Sequence, residues 1–111
     1  MFASQFRLRK KEDVDLIFKK GRSVSSPELA FRFLPNSRGH SRIAVLVGTK
    51  LAKKAADRNR IRRRLREIAR TNFNQIPKGF DLLVVARDLK LRDIDFAELT
   101  RKFLALVIKI T

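Results

Sequence analysis

Residues 57–66 read Asp-Arg-Asn-Arg-Ile-Arg-Arg-Arg-Leu-Arg, and this stretch decides how the rest of the chain is interpreted. Ile61 and Leu65 are four residues apart, and Ile68 and Ala69 continue the same apolar stripe, which is typical of a helix that packs on a core along one face. The pattern predicts a helix from about residue 53 to residue 73. Six arginines within nine residues then have to occupy the remaining surface of that helix.

Arginine at this density indicates a polyanionic partner. The planar guanidinium donates two parallel hydrogen bonds to phosphate oxygens and is more weakly hydrated than a lysine ammonium. Arg58, Arg62 and Arg66 fall along one flank of the predicted helix. The arginines predicted to project away from the apolar stripe are Arg60, Arg63, Arg64 and, one turn further on, Arg70. Asn59, alone among so many arginines, is predicted to make a specific hydrogen bond, to RNA or to a neighbouring turn.

The charge of the chain is concentrated around this helix. The 111 residues carry a formal net charge of +16, with a sequence pI near 11.6, and residues 50–70 hold ten bases against two acids. Half of the net charge therefore lies in 21 residues, which favours one main binding element. Nucleic acid is the first candidate for the partner and an anionic membrane surface is a distant second.

Several classes of protein are excluded by what the chain lacks. There is no cysteine, a single histidine and no cluster of carboxylates at metal-ligand spacing, so we expect no catalytic residue, no bound metal and no autonomous nuclease site. The apolar runs are too short to span a bilayer, and no secretory signal is evident at the N-terminus. We expect no membrane association and a cytoplasmic location.

The other segments predict a single α+β domain over residues 1–111. Period-2 or continuous apolar runs predict strands at 29–34, 43–47 and 80–86, the last covered on both faces. Helical spacing predicts a first helix over 11–20, with Gly21 as a left-handed C-cap. It also predicts a last helix from Phe96, capped by Asp95, with an apolar stripe at Leu99, Phe103, Leu106, Val107 and Ile110.

The segment Arg58-Asn59-Arg60, followed by Ile61 and further bases, resembles the RNR signature of the bacterial ribonuclease P protein family. The resemblance extends over nearly the whole chain in the right order. Phe6-Arg7-Leu8 and Ile17-Phe18-Lys19-Lys20-Gly21 resemble the start and the first helix of the family. Residues 42–47, and the run from Lys50 to Arg60, resemble its second strand, loop and signature helix, and residues 81–87 resemble the strand before its last helix.

This resemblance implies a two-layer α+β sandwich in the order α-β-β-β-α-β-α. It also implies a βαβ crossover of the unusual left-handed kind around the RNR helix, which general rules of chain topology would not have predicted.

The resemblance further implies a role in removing the 5′ leader of precursor tRNA. In the family, a catalytic RNA performs the hydrolysis with Mg²⁺, and one protein per RNA binds both that RNA and the single-stranded leader. The residues expected to contact the catalytic RNA are Lys50, Lys53, Lys54, Arg58, Asn59, Arg60, Arg62, Arg63 and Arg64. A cleft between the first helix and the sheet is expected to hold the leader through Arg7, Phe18, Arg32 and Arg87.

Two positions depart from the family pattern. Val14 stands where a second aromatic residue on the helix face is common, and Thr49 stands where the first of two adjacent lysines is usual. Both departures bear on the set of residues that contacts the leader and the catalytic RNA.

Two other functions fit the composition. A ribosomal protein would share the size and the charge, and processing of precursor tRNA with the partner RNA separates the two hypotheses. A DNA-binding regulator is the other alternative, but the arginine-rich helix offers no obvious base-reading set and no dimerisation stripe. For Phe18 the alternative to a role in binding is packing in the core, and for Arg32 it is a charge on an exposed strand.

Overall fold

Three helices and four strands follow one another in the predicted order in the computed structural model, which describes residues 4–110. The elements are α1 (Lys11–Lys20), β1 (Arg22–Ser25), β2 (Leu29–Pro35), β3 (Arg42–Leu46), α2 (Ala55–Thr71), β4 (Phe80–Ala86) and α3 (Phe96–Val107). Three short 3-10 turns lie at Ser4–Phe6, Phe73–Gln75 and Leu89–Arg92. The ends of the domain predicted over 1–111, residues 1–3 and 111, lie outside the described residues.

The four strands form one sheet in the order β1-β2-β4-β3. β1 pairs antiparallel with β2 and β2 pairs antiparallel with β4, whereas β3 and β4 are parallel. Because α2 connects these two parallel neighbours, the predicted βαβ crossover is present; its left-handedness stays a prediction from the resemblance. The interior position of β4 accounts for its run of apolar residues, which has to be covered on both faces.

The larger core lies between one face of the sheet and the two long helices. The predicted stripe of α2, Ile61, Leu65, Ile68 and Ala69, is fully buried, and so is the predicted stripe of α3 to within a few per cent. Leu82 and Val84 of β4 belong to the same cluster. In its centre the rings of Phe31 and Phe103 meet edge to face with their centroids 5.0 Å apart.

The opposite face of the sheet is covered by α1 over only part of its area. Ile17 is fully buried there against Leu8 and Leu83, and Val14 packs on the edge of this smaller cluster. The remainder of this face of the sheet stays open.

Gly21 corrects one prediction. It does follow α1, but its φ of −73° is ordinary extended backbone and not the left-handed conformation expected of a C-cap glycine. A Cβ built on Gly21 would lie 2.4 Å from the carbonyl oxygen of Ile17 and 3.0 Å from that of Phe33. Glycine is therefore needed chiefly because a Cβ would clash with the Ile17 carbonyl of α1, and the approach of β2 adds a second, longer contact.

Other local predictions agree with the structure within a residue or two. The Asp95 carboxylate accepts the N–H of Glu98 at 3.4 Å, as expected of the cap of α3. The strand β1 had no apolar alternation to predict it, since Arg22–Ser25 holds one apolar residue. No helix in the part of the chain that the structure describes is long and apolar enough to cross a membrane.

Candidate nucleic-acid interface

The positive charge of residues 50–70 is left largely unneutralised by the fold. Asp57 pairs with Arg92 on the 3-10 turn after β4, with 3.3 Å between the charged atoms, and Glu67 pairs with Arg70 at 2.7 Å. The remaining salt bridge to this segment, within residues 4–110, joins Arg60 to Asp93 at 3.7 Å. Eight of the ten bases thus have no carboxylate partner among the described residues, so this segment can attract a polyanion strongly.

Three of the arginines predicted to face RNA also hold the protein together. Arg58 donates to the carbonyls of Ala52 and Lys53, at 2.8 and 2.9 Å, and closes the loop before α2. Arg60 donates to the carbonyl of Arg92 at 2.7 Å. The guanidinium groups on the surface of α2 therefore include some that are already engaged by the protein itself.

Arg64 is the third of these arginines. Its guanidinium donates to the carbonyl of Leu91 at 2.6 Å and to that of Ile94. Burial and the neighbouring charge of Arg60 lower the pKa of Arg64. The side chain ties the middle of α2 to the 3-10 turn between β4 and α3.

The other predicted RNA contacts are more accessible. Lys50, Lys53, Lys54 and Arg63 are exposed. Arg62 is half-buried and donates to the Oδ1 atom of Asn59 at 2.8 Å. Asn59 therefore has a partner on its own helix, which is neither of the two partners that the sequence suggested.

A groove, which we call the α2 groove, runs between α2, the free edge of β3 and the segment before α1. Its volume is about 690 Å³. The wall on α2 is formed by Asn59, Arg63, Arg66, Glu67 and Arg70, the opposite wall by Arg7 and Arg9, and the apolar floor by Leu8, Ile43, Ala44 and Val45. Arg9, Arg66 and Arg70 are not among the residues that the family resemblance implies as RNA contacts. The spacing of positions 59, 63, 66 and 70, which is i, i+4, i+7 and i+11, could have revealed the common face of the helix.

Phe18 and Arg32, two of the predicted leader contacts, lie together. The Phe18 side chain is 48% exposed, so it is not a core residue, and the Arg32 guanidinium lies 5.6 Å from the centre of its ring. Arg32 also donates to the carbonyls of Phe18 at 2.8 Å and Gly21 at 3.2 Å. Arg32 is therefore not the unattached surface charge of the alternative interpretation, because it caps the end of α1 and supports the Phe18 ring.

The open part of the α1 face adjoins this pair. The strand register places Ser25, Ala30, Val85 and Leu46 in one row across all four strands, and each of them is at least partly exposed. We call these four residues the sheet-face row. Arg87 follows β4 at the end of this face and donates to the carbonyl of Ser26 at 3.1 Å. Arg7 lies elsewhere, bridged to Ile43 at the edge of β3, so the structure does not bring it together with Phe18.

A buried ion pair fixes the other end of α1. Arg42 makes two hydrogen bonds to Asp81, at 2.8 and 2.6 Å, and also lies 3.4 Å from the carboxylate of Asp13 on α1. Burial by itself would raise the pKa of Asp81, but hydrogen bonds from Arg42 and Asn36 outweigh it and hold that pKa below its ordinary value. The network joins α1, β3 and β4.

The fold and these two surfaces define a class, that of small, strongly basic α+β proteins that bind RNA. Comparisons with known proteins give the family. The family model described as Ribonuclease P matches residues 2–111. A ribonuclease P protein component from Thermotoga maritima is 38% identical over 113 residues, which cover 98% of this chain and 95% of the relative. The chain therefore belongs to the ribonuclease P protein family.

Solved structures agree with this assignment. The ribonuclease P protein of Thermotoga maritima superimposes with a TM-score of 0.86 at 37% identity, covering 95% of this chain and 97% of that one. The Staphylococcus aureus protein gives a TM-score of 0.79 at 28% identity, covering 94% and 93%. The α+β fold in the order α-β-β-β-α-β-α is thus confirmed, and the chain is a component of an endoribonuclease that processes tRNA.

Proposed function

We propose that this protein is the non-catalytic subunit of a cytoplasmic ribonuclease P, in which one copy binds one catalytic RNA and also holds the 5′ leader of precursor tRNA. In this proposal, hydrolysis and the Mg²⁺ that it requires belong to the RNA. The protein contributes affinity and position, which can lower a barrier considerably without any reacting group of its own.

The observation that carries the proposal is the uncompensated charge of residues 50–70. A folded protein with this much unpaired positive charge on one helix and its loop suffers self-repulsion that a polyanion relieves. The exposed bases Lys50, Lys53, Lys54 and Arg63 are suited to phosphates, and Arg62 is within reach of the same partner. Because α2 is anchored by its buried stripe, these groups meet the RNA in a nearly fixed geometry.

The sheet-face row supports the second half of the proposal. Its small and apolar side chains leave a shallow open strip, with the exposed Phe18 ring at one side and Arg87 at the end. An aromatic ring stacks on an unpaired base of any identity, with about 1–3 kcal/mol per base, and a nearby guanidinium meets the backbone phosphate. These features suit leaders of variable sequence.

Reconstitution tests the proposal. The purified protein is mixed with a bacterial ribonuclease P RNA and precursor tRNA at low Mg²⁺, and release of the leader is followed. We expect the protein to stimulate cleavage, and we expect Arg62→Ala combined with Arg63→Ala to weaken binding to the catalytic RNA about tenfold or more. Arg101→Ala is the matched control, since Arg101 is an exposed arginine on α3 outside both surfaces. Binding without stimulation across several such RNAs would favour a ribosomal-type structural role.

The leader surface requires its own comparison. Phe18→Ala is expected to lower the affinity of the holoenzyme for precursor tRNA with a leader about fivefold or more, and to leave its affinity for mature tRNA unchanged. If the affinities for precursor tRNA and for mature tRNA fell equally, Phe18 would not act by binding the leader.

A further inference from the structure

The α2 groove differs from the rest of the basic surface because it is concave and has an apolar floor. Leu8, Ile43 and Val45 are each at least nine-tenths buried, yet they form the base of a cavity of about 690 Å³. Phosphates alone would leave this floor unused. The volume lies in the range of pockets that bury an organic ligand of drug size.

The walls of the groove carry guanidinium groups that have no anionic partner. Arg7, Arg63 and Arg66 form no salt bridge with any described residue, and the carboxylate of Glu67 in the same wall is occupied by Arg70, which donates to both of its oxygens at 2.7 and 3.0 Å. Burial lowers the pKa of Arg66, as do the charges of Arg62 and Arg7, so the cationic groups repel one another in this space. An anion between the two walls would relieve that repulsion.

Contacts made by the surrounding segments hold the groove open. Leu8 donates its N–H to the carbonyl of Ile43 at 2.9 Å, which attaches the segment before α1 to the free edge of β3. Phe6 packs against Phe73 beyond the end of α2, with 4.8 Å between the ring centres. The segment before α1 is thus fixed both to β3 and to the end of α2, and these contacts set the distance between the two walls of the groove.

We infer that the α2 groove binds one unpaired nucleotide of an RNA strand, with its phosphate between Arg7 and Arg66 and its base on the apolar floor. Unpaired bases are commonly splayed out of RNA and stacked on guanidinium planes or apolar side chains, whereas a base-paired helix presents phosphates without a free base face. The inference rests on the proposed function, because α2 is the helix proposed to dock on the catalytic RNA. It adds a site for a single extrahelical nucleotide to that surface.

The experiment titrates the full-length protein with a 5′-phosphorylated single-stranded RNA trinucleotide and follows backbone amide signals by NMR. Saturable shifts are expected at Ala44, Val45 and positions 59–70. The same trinucleotide with an abasic central position is expected to bind about fivefold or more weakly at these amides, since it lacks the stacked base. Arg66→Ala is expected to weaken the trinucleotide about tenfold, and Arg101→Ala to leave its affinity unchanged.

Three outcomes overturn the inference. Equal affinity for the abasic strand or for inorganic phosphate makes the groove a phosphate site only. Adenosine monophosphate binding at least tenfold more tightly than the trinucleotide makes it a site for free nucleotides. Shifts confined to the sheet-face row, around Ala30 and Val85, place the strand on the other surface. If any of these results is found and the protein still stimulates cleavage in the reconstitution, the proposed function stands and the inference about the groove fails. If the trinucleotide binds the groove as expected but the protein does not stimulate cleavage, the inference about the groove stands and the proposed function fails.

Discussion

Gly21 shows how a single residue can be required by close backbone on two sides, one local in the chain and one distant. Replacing it by alanine forces a Cβ against the carbonyls of Ile17 and Phe33, and crowding of this kind costs about 1–3 kcal/mol. We expect Gly21→Ala to lower the free energy of unfolding by about 2 kcal/mol in urea titration. Gly48→Ala is the matched control, because a Cβ at Gly48 meets no atom within 4 Å. Equal stability of the two variants would contradict this account.

The sequence pattern correctly predicts that α1 ends just before Gly21, but the left-handed conformation that it predicts for this glycine is wrong. A glycine after a basic last turn usually adopts positive φ, and the local pattern carries no more than that statistical tendency. The tightest constraint is the carbonyl of Ile17, four residues earlier in the chain, and the carbonyl of Phe33, twelve residues further along, adds a second one that depends on how β2 passes α1. This second contact exists only once the fold does.

Asp81 makes the stability of the protein depend on pH. Since its folded-state pKa lies below its unfolded value of about 3.9, the ionised carboxylate stabilises the fold above that value, and this contribution is lost as the pH falls through the folded pKa. Asp81→Asn removes both hydrogen bonds from Arg42 to Asp81, leaves the buried Arg42 with the carboxylate of Asp13 at 3.4 Å, and is expected to cost about 3 kcal/mol at pH 7.

Unfolding in urea at pH 7 and at pH 3 checks this expectation. The difference in stability between the native protein and Asp81→Asn should be smaller at pH 3 than at pH 7, because below about 3.9 the unfolded state takes up a proton at Asp81 and the stabilisation by the ionised carboxylate declines. If the difference in the free energy of unfolding were the same at both pH values, the shape of the Asp81 side chain and not its charge would support α1.

At the scale of elements, α2 is both a binding surface and a structural member. Arg64→Ala removes two hydrogen bonds to carbonyls of the segment 91–94, and we expect it to lower the free energy of unfolding by about 1–2 kcal/mol. Arg63→Ala, one position earlier on the same helix, removes an exposed side chain and should change stability by less than about 0.5 kcal/mol. Thermal unfolding of the two variants separates these roles, and equal losses would contradict the anchoring role of Arg64.

The helices were largely predictable and their surface contacts were not. The apolar stripes of α2 and α3 follow from spacing alone, because apolar residues that recur with a period of 3.6 indicate an amphipathic helix. Some arginines of α2 donate to carbonyls of residues 91–94. Their identity depends on where the segment 89–94 packs, and no local sequence pattern encodes the position of that segment. The α2 groove was missed for the same reason, since half of its lining comes from residues 7–9 and β3.

At the scale of the whole molecule, the net charge of +16 predicts opposite effects of salt on folding and on binding. Screening reduces self-repulsion, so raising NaCl from about 10 to 200 mM should raise the Tm of the free protein by about 4 °C or more. The same change should weaken binding to RNA by orders of magnitude, because binding releases counterions from the RNA and a higher salt concentration opposes that release. If added salt changed the Tm, measured by calorimetry, and the affinity for RNA, measured by titration, in the same direction, this would contradict the view that RNA neutralises the surface charge.

The topology lay beyond the sequence pattern. Period-2 alternation identified β2, and apolar runs identified β3 and β4, but neither reveals the order β1-β2-β4-β3 or the parallel pairing of β3 with β4. Only the resemblance to a family supplied the additional strand and the crossover. β1 is short and polar, and it forms because β2 offers it a hydrogen-bonded edge.

The place of β4 in the sheet has a consequence for biosynthesis. β2 and β3 touch only through β4, which is the last strand to be made, so a chain still growing on the ribosome cannot assemble more than the β1–β2 hairpin before residue 86 has emerged. A lone hairpin is marginal in water. The arginine-rich helix therefore leaves the exit tunnel with no sheet to dock on, in the immediate vicinity of ribosomal RNA. We therefore expect the native sheet to form only after β4 has emerged, in one cooperative step, and not from the N-terminus onward.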